Sequence, residues 1–164
     1  MKHAILIFLL FSSLGVSAQS GLYGRYLDEL GSELTLNPDS TFAYTYHFDM
    51  IGSWTIGTYR VVNDTIFFEE VPVFDTLQIK NSADQKDSLV LSDDREPKRI
   101  TMDHFINRPL LSGAQGRFPH PNLLIWRKNK LYTVDQKGKI KTRKTRYPAK
   151  GKKYKSWYVK SSVE

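Results

Sequence analysis

Ten lysine and arginine residues lie between positions 137 and 155, and no acidic residue lies among them. Cations at this density repel one another, so they are favoured only where anionic groups lie against them. We therefore predict an anion-binding segment in this part of the chain. The predicted anion-binding residues are Lys139, Lys141, Arg143, Lys144, Arg146, Lys152, Lys153 and Lys155.

The charge of the chain is divided unevenly along its length. Residues 19–126 contain nine lysines and arginines against fifteen acids, a net charge of −6, whereas residues 127–164 contain fourteen against two, a net charge of +12. The basic segment therefore pairs either with the acidic body of the same chain or with an external anion. Anionic lipid, polysaccharide and an acidic protein surface are the candidate external partners, and the sequence leaves these alternatives open.

Two histidines lie in an irregular stretch, residues 92–121, together with several acids. His104 and His120 are sixteen residues apart, which matches no common metal-ligand spacing, and the chain has no cysteine to complete a zinc site. The usual serine-nucleophile motifs are absent from the sequence as well. We predict no catalytic residue, metal or cofactor. An extracytoplasmic enzyme or metal-binding protein that uses His104 and His120 is the alternative.

The first eighteen residues have the pattern of a cleavable signal peptide. Lys2 and His3 precede an apolar run, residues 4–14, and small side chains follow at Val16-Ser17-Ala18. The run is shorter than the about 20 apolar residues that span a bilayer. We predict cleavage before Gln19 and a periplasmic or extracellular location, which disfavours nucleic acid as the partner.

Cysteine is absent from the whole chain, although export usually permits disulfides. The exported domain must therefore hold together through its core, and it cannot carry a lipidated cysteine. No later segment is apolar enough to be a predicted transmembrane span.

Alternating aromatic and small or polar side chains predict a strand over residues 41–48. Asn37-Pro38-Asp39-Ser40 before it has the residues of a tight turn, which predicts a hairpin with residues 33–36. A longer strand is predicted over residues 52–62, with a β-bulge at Gly57 where the apolar phase changes. Asn63-Asp64 then predicts a two-residue hairpin turn.

Further short strands complete a mainly β chain. They are predicted at residues 74–80, 88–91, 123–126, 131–134 and 138–141, with turns at Lys128-Asn129 and at 136–138. The irregular stretch is either one long loop or contains a predicted strand at 99–106. About eight short antiparallel strands must close on themselves or stack as two sheets. We predict an antiparallel meander in an up-and-down barrel, with a β-sandwich as the alternative.

The domain organisation follows from these patterns. Residues 1–18 are the signal peptide, 19–141 the β domain with its irregular loop at 92–121, and 142–164 a basic C-terminal extension packed on or next to the barrel. A barrel of eight strands is either packed solid or hollow enough for one small apolar ligand. Aromatic side chains of these strands are predicted to line its interior, and those predicted to bind such a ligand are Tyr44, Tyr46, Trp54 and Tyr59.

Four short motifs carry a family resemblance. Leu34-Thr35-Leu36, Asp39-Ser40-Thr41-Phe42, Gly52-Ser53-Trp54 and Asp64-Thr65-Ile66 resemble the strand-turn-strand pattern of small secreted lipocalin-like bacterial domains. The N-terminal barrel of the copper-homeostasis lipoprotein family shows a similar run. The resemblance covers residues 21–70 and implies a barrel fold. It implies neither anchoring nor copper chemistry, because the chain lacks that family's lipidation cysteine and paired cysteines.

We therefore expect an exported, non-enzymatic binding or envelope-associated protein whose basic C-terminus contacts an anionic surface.

Overall fold

The computed structural model describes residues 21–48, 51–79, 87–107, 113–146 and 151–162. The elements in these residues, in chain order, are β1 (Gly24–Leu27), β2 (Ser32–Leu36), β3 (Thr41–Phe48), β4 (Ile51–Val62), β5 (Thr65–Glu70), β6 (Phe74–Gln78), β7 (Ser88–Leu91), β8 (Arg99–Thr101), α1 (Met102–Ile106), β9 (Ala114–Gln115), β10 (Leu123–Arg127), β11 (Lys130–Tyr132), β12 (Thr145–Arg146), β13 (Lys153–Tyr154) and β14 (Trp157–Lys160). The predicted signal peptide and its cleavage site lie outside the described residues.

Eight of these strands form a closed antiparallel barrel. Around the barrel they follow one another in sequence order, β1, β2, β3, β4, β5, β10, β11 and β14, and β14 returns to pair with β1. Each neighbouring pair is antiparallel. The predicted mainly β, up-and-down barrel is confirmed, and the sandwich alternative is excluded. Closure pairs β1 with β14, whose backbone hydrogen-bonding edges would be exposed in an open meander.

Tight turns connect the strands at one end of the barrel, which we call the turn end. Asn63 and Asp64 have φ of 48° and 62°, and Lys128 and Asn129 have φ of 49° and 58°. Two successive residues with positive φ make the turn that matches the twist of a β-hairpin. The hairpins predicted at Asn63-Asp64 and Lys128-Asn129 are therefore confirmed, as is the turn at residues 37–40.

Two long insertions leave the barrel at the opposite end, which we call the loop end. The first insertion, residues 71–122, contains the three-stranded sheet β7-β6-β8, helix α1 and β9, which pairs in parallel with β4. The irregular stretch predicted at 92–121 thus contains regular elements. Its predicted strand ends early, because the side chain of Thr101 accepts a hydrogen bond from the backbone N–H of His104 and starts α1.

The core of the molecule is the barrel interior. Tyr26 is fully buried there and donates its hydroxyl hydrogen to the carbonyl of Leu22 at 2.6 Å. Burial of large side chains from every barrel strand removes apolar surface from water, which stabilises the closed form without any disulfide. The buried core cluster consists of Leu22, Tyr26, Leu34, Leu36, Phe42, Tyr44, Tyr59, Ile66, Leu124, Leu131 and Tyr158.

Gly57 marks a close approach between strands rather than a bulge. Strand β4 keeps its register through this residue, which pairs with Phe42 of β3 and with Glu70 of β5. A Cβ atom here would overlap the backbone carbonyl oxygen of Glu69, so only glycine fits. The predicted bulge is therefore wrong.

The unbroken alternation of β4 decides which of its side chains face the interior. Tyr59 belongs to the core cluster and Val61 packs against it. Trp54 and Ile56 lie at the alternate positions, so they point to the other face of the strand. Trp54 was predicted to line the interior, and this prediction is wrong, because the side chain lies outside the core cluster.

The end of the chain is part of the barrel. Strand β14, Trp157–Lys160, pairs with β1 on one side and with β11 on the other. The boundary predicted at 141/142 therefore does not separate the barrel from an extension. The basic residues belong instead to the second insertion, residues 133–156, between β11 and β14. The strand predicted at 138–141 is reduced to one bridge between Val134 and Ile140.

In the residues that the structure describes, no helix has the length and apolar character needed to cross a membrane.

The position of β14 predicts opposite outcomes for two deletions. A chain that ends at Ser156 loses the closing strand and the buried Tyr158, so we expect it to lose cooperative thermal unfolding. A chain in which a short glycine-serine linker replaces residues 137–152 keeps every barrel strand, so we expect a cooperative transition. Circular dichroism melts check both, and a wild-type melt for the chain that ends at Ser156 would contradict the role of β14.

Candidate functional site

The second insertion, residues 133–156, which we also call the basic insertion, has defined local structure at the loop end. The carboxylate of Asp135 accepts hydrogen bonds from the backbone N–H groups of Lys137 and Lys139, at 2.9 and 2.8 Å. The backbone N–H of Lys141 donates to the carbonyl of Thr133. Further along, β12 and β13 pair as a short antiparallel ribbon. These contacts give the predicted anion-binding residues an ordered backbone.

A basic cleft lies within this insertion and has a volume of about 560 Å³. Asp135 is the acid in its lining, and that carboxylate already accepts the two backbone hydrogen bonds. The positive potential of the surrounding side chains therefore dominates the cleft. The cations that line it are Lys139, Lys141, Arg143 and Lys144.

The insertion is tied to the barrel at its base. The hydroxyl of Ser156 donates to the carbonyl of Arg143 at 3.1 Å and lies 2.6 Å from the hydroxyl of Thr145. The hydroxyl of Thr133 donates to the carbonyl of Ser156 at 2.9 Å. The chain segment that leaves the barrel is thus joined to the segment that returns, so the cleft has a fixed position.

Among the described residues, one ion pair links the basic insertion to the acidic body. Lys155 Nζ lies 2.8 Å from Glu29 Oε1, and the backbone N–H of Lys155 donates to Glu29 Oε2 at 3.0 Å. The hydrogen bond from Lys155 lowers the pKa of the Glu29 carboxyl, and the charge of Lys144 lowers it further. Both partners are partly exposed, so the pair orients the insertion more than it stabilises the fold.

The other predicted anion-binding residues have no such partner. Within the described ranges, seven of them have no carboxylate within ion-pair distance. They are Lys139, Lys141, Arg143, Lys144, Arg146, Lys152 and Lys153. The acidic body therefore compensates only a small part of the basic charge.

Three of the four predicted ligand-binding aromatics lie within the barrel. Tyr44 donates its hydroxyl hydrogen to Ser32 Oγ at 3.2 Å, and Tyr59 donates to the carbonyl of Asn37 at 2.7 Å. Tyr46 packs against Phe118, with 5.1 Å between the two ring centroids. These contacts make all three part of the packed interior or of its rim.

A segment of the first insertion covers the barrel at the loop end. The ring of His120 lies 5.7 Å from that of Phe42 and 6.2 Å from that of Tyr44, and its Nε2 is 3.5 Å from Glu70 Oε2. A pocket of about 460 Å³ remains beside it, lined in part by Tyr44, His120 and Tyr158. The barrel interior is therefore filled by side chains, and this pocket lies at its opening at the loop end, which we call the barrel mouth.

Trp54 lies in a separate crevice on the outer wall of the barrel. Its indole N–H donates to the carbonyl of Asp93 at 2.9 Å, which fastens the first insertion to β4. The crevice has a volume of about 520 Å³, with His47 and Arg95 also in its lining. The predicted set of four aromatics is thus divided between two places.

His104 and His120 line different pockets. His104 is exposed on α1, in a cleft that Asp75 and Asp94 also line, whereas His120 lies at the barrel mouth. No group of three histidine, cysteine or acidic side chains that could hold a metal ion occurs in the part of the chain that the structure describes. The structure therefore does not bring the two histidines together.

Sequence reasoning missed two acids that position the basic cleft. The role of Asp135 could have been recognised in the sequence, because an aspartate before Gln136-Lys137-Gly138 is typical of a turn in which the aspartate side chain accepts backbone hydrogen bonds. No sequence pattern indicates the role of Glu29, since it lies 126 residues before its partner Lys155. Only the closed barrel brings Glu29 and Lys155 together.

No protein family model, curated protein or solved structure matches the chain in comparisons with known proteins.

The buried phenols predict a dependence of stability on alkaline pH. Burial raises the pKa of Tyr26 and of Tyr59 to about 12, above the ordinary value of about 10. The folded state therefore retains these protons, and the stability that they contribute is present below about pH 10 and is lost as the pH rises towards 12. Ultraviolet titration should show late phenolate formation that Tyr26→Phe reduces. Ionisation of all tyrosines near their ordinary pKa with the fold intact would contradict this burial.

Proposed function

We propose that the protein is an exported, non-enzymatic binding protein that holds an anionic surface against its basic cleft. The observation that carries the proposal is the set of cations in the second insertion without carboxylate partners within the described ranges. Four cations line one cleft there. Anionic groups placed in this cleft relieve the repulsion among these side chains.

The fixed backbone of the cleft supports this function. Asp135 and Ser156 hold the insertion through hydrogen bonds that do not consume the cationic groups themselves. A binding site that is ordered before binding loses less conformational entropy when the ligand arrives. The arrangement therefore favours contact with several anionic groups at once.

The competing explanation of the basic insertion is that its charge is neutralised by the acidic body of the same chain and not by an external anion. Glu29 accounts for one ion pair, with Lys155, and lies near Lys144. Seven predicted anion-binding residues lie outside such pairs in the described chain. This imbalance supports an external partner.

A small apolar ligand at the barrel mouth is a second candidate. The pocket beside His120 is bounded by Tyr44 and Tyr158, and its volume of about 460 Å³ is in the range of small-molecule sites. Aromatic walls next to a few polar groups suit such a ligand. Retention of a small molecule in native mass spectrometry tests this candidate.

Export predicts a shortened N-terminus. We expect N-terminal sequencing of protein recovered from its own host to begin at Gln19, or within one or two residues of it, because Val16-Ser17-Ala18 suits signal peptidase. Recovery of an intact Met1 on the mature protein would contradict export.

Neutralising the cleft should weaken binding to heparin, a soluble polyanion. We expect a variant with Lys139, Lys141 and Arg143 changed to glutamine to bind heparin about tenfold more weakly. The slope of log Kd against log salt concentration should fall in magnitude by about 2, because fewer counterions are released. Salt elution from a heparin column and titration at several salt concentrations measure both effects.

The matched control changes Arg95, Arg99 and Lys128 to glutamine, which removes the same charge outside the basic insertion. We expect this variant to bind heparin nearly as the wild type does. Equal losses in the two variants would show that net charge alone matters, which would contradict the role of the cleft. Passage of the wild-type protein through the column at low salt would overturn the proposed function.

A further inference from the structure

Apolar side chains form a continuous patch on the outer wall of the barrel beside the basic insertion. Leu27 of β1 pairs with Val159 of β14, and Trp157 of β14 pairs with Tyr132 of β11. Tyr132 in turn pairs with Ile125 of β10. Since paired residues lie on the same face of a sheet, these five side chains form one surface, which we call the wall patch.

The wall patch is open to solvent at its aliphatic end. Leu27 and Val159 are each 39% exposed, although both are large apolar residues in regular strands. Trp157 and Tyr132 are half-buried, with ring centroids 5.8 Å apart. Lys130 Nζ lies 5.9 Å from the centroid of the Trp157 ring, so a cation borders the aromatic part of the patch.

The wall patch and the basic cleft adjoin each other. The second insertion leaves the barrel directly after Tyr132 and returns directly before Trp157. Ser156 joins that return to Arg143 and Thr145 of the cleft. The cations are therefore held next to the aromatic pair by hydrogen bonds rather than by a free linker.

We infer that the anionic surface is a phospholipid membrane, with the basic insertion on its headgroups and the wall patch in its interfacial region. This inference rests on the proposed function. Cations beside amphipathic aromatic and aliphatic side chains suit that region, because headgroups carry the anions and the adjoining acyl boundary takes apolar groups.

Charge complementarity together with the apolar patch favours this occupant over a polysaccharide. A hydrated acidic polysaccharide satisfies the cations of the insertion but provides no apolar phase for Leu27 and Val159. A membrane provides both, and its fluid headgroups adjust to the spacing of the cations. An acidic protein surface is the other outcome that the experiment distinguishes, because it would leave vesicle binding absent.

The test uses vesicles of mixed phosphatidylcholine and phosphatidylglycerol. We expect Leu27→Thr combined with Val159→Thr to weaken vesicle binding by about tenfold, because two apolar side chains leave the interface. Heparin binding should stay unchanged, since no cation is altered. The matched control, Val62→Thr with Leu89→Thr, changes two exposed aliphatic residues elsewhere and should leave both affinities unchanged.

Tryptophan fluorescence gives a second readout. Brominated phosphatidylglycerol should quench the emission of the wild-type protein on binding, and Trp157→Phe should remove most of this quenching. Trp54→Phe should not, because the Trp54 side chain is buried under the first insertion.

The outcomes separate the two proposals. Undiminished vesicle binding by the Leu27→Thr, Val159→Thr protein, or absence of quenching at Trp157, would overturn the membrane inference and leave heparin binding, and thus the proposed function, intact. Absence of heparin binding by the wild type would overturn the proposed function itself.

Discussion

The pairing of β14 with both β1 and β11 is the interaction on which the rest of the structure depends. It joins the last described strand to the first and converts an open meander into a barrel. With no cysteine in the chain, closure and the interior that it encloses must hold the domain together. Tyr158 of β14 belongs to that interior. The same pairing fixes where the second insertion begins and ends.

Closure in sequence order also divides the barrel into two unlike ends. Short turns with positive φ occupy the turn end, where the connections have little room for additional chemistry. Both insertions leave from the loop end, where β5 is followed by residues 71–122 and β11 by residues 133–156. A rigid sheet that carries variable connections is a common way to position a binding site. The candidate sites at the barrel mouth and in the basic insertion follow this arrangement.

Charge separation along the chain becomes a spatial arrangement in the fold. The acidic body meets the basic insertion through Glu29, whose two carboxylate oxygens both contact Lys155. This contact fixes the orientation of the insertion while leaving the cations of the cleft without ion-pair partners in the described chain. The function that we propose depends on this incomplete compensation, because a fully paired insertion would have little attraction for an external anion.

The sequence by itself determined the features that depend on neighbouring residues. Alternation over residues 41–48 and the turn residues Asn63-Asp64 specify a strand and a hairpin locally, so both were predictable. Tertiary structure alone decided the features that depend on distant pairing. Nothing local in Trp157–Lys160 shows that it closes a barrel, because its partners on β1 lie more than a hundred residues earlier. The alternation around Trp54 is likewise typical of a core residue. Its side chain nevertheless lies on the outer wall of the barrel, where it is in contact with the first insertion.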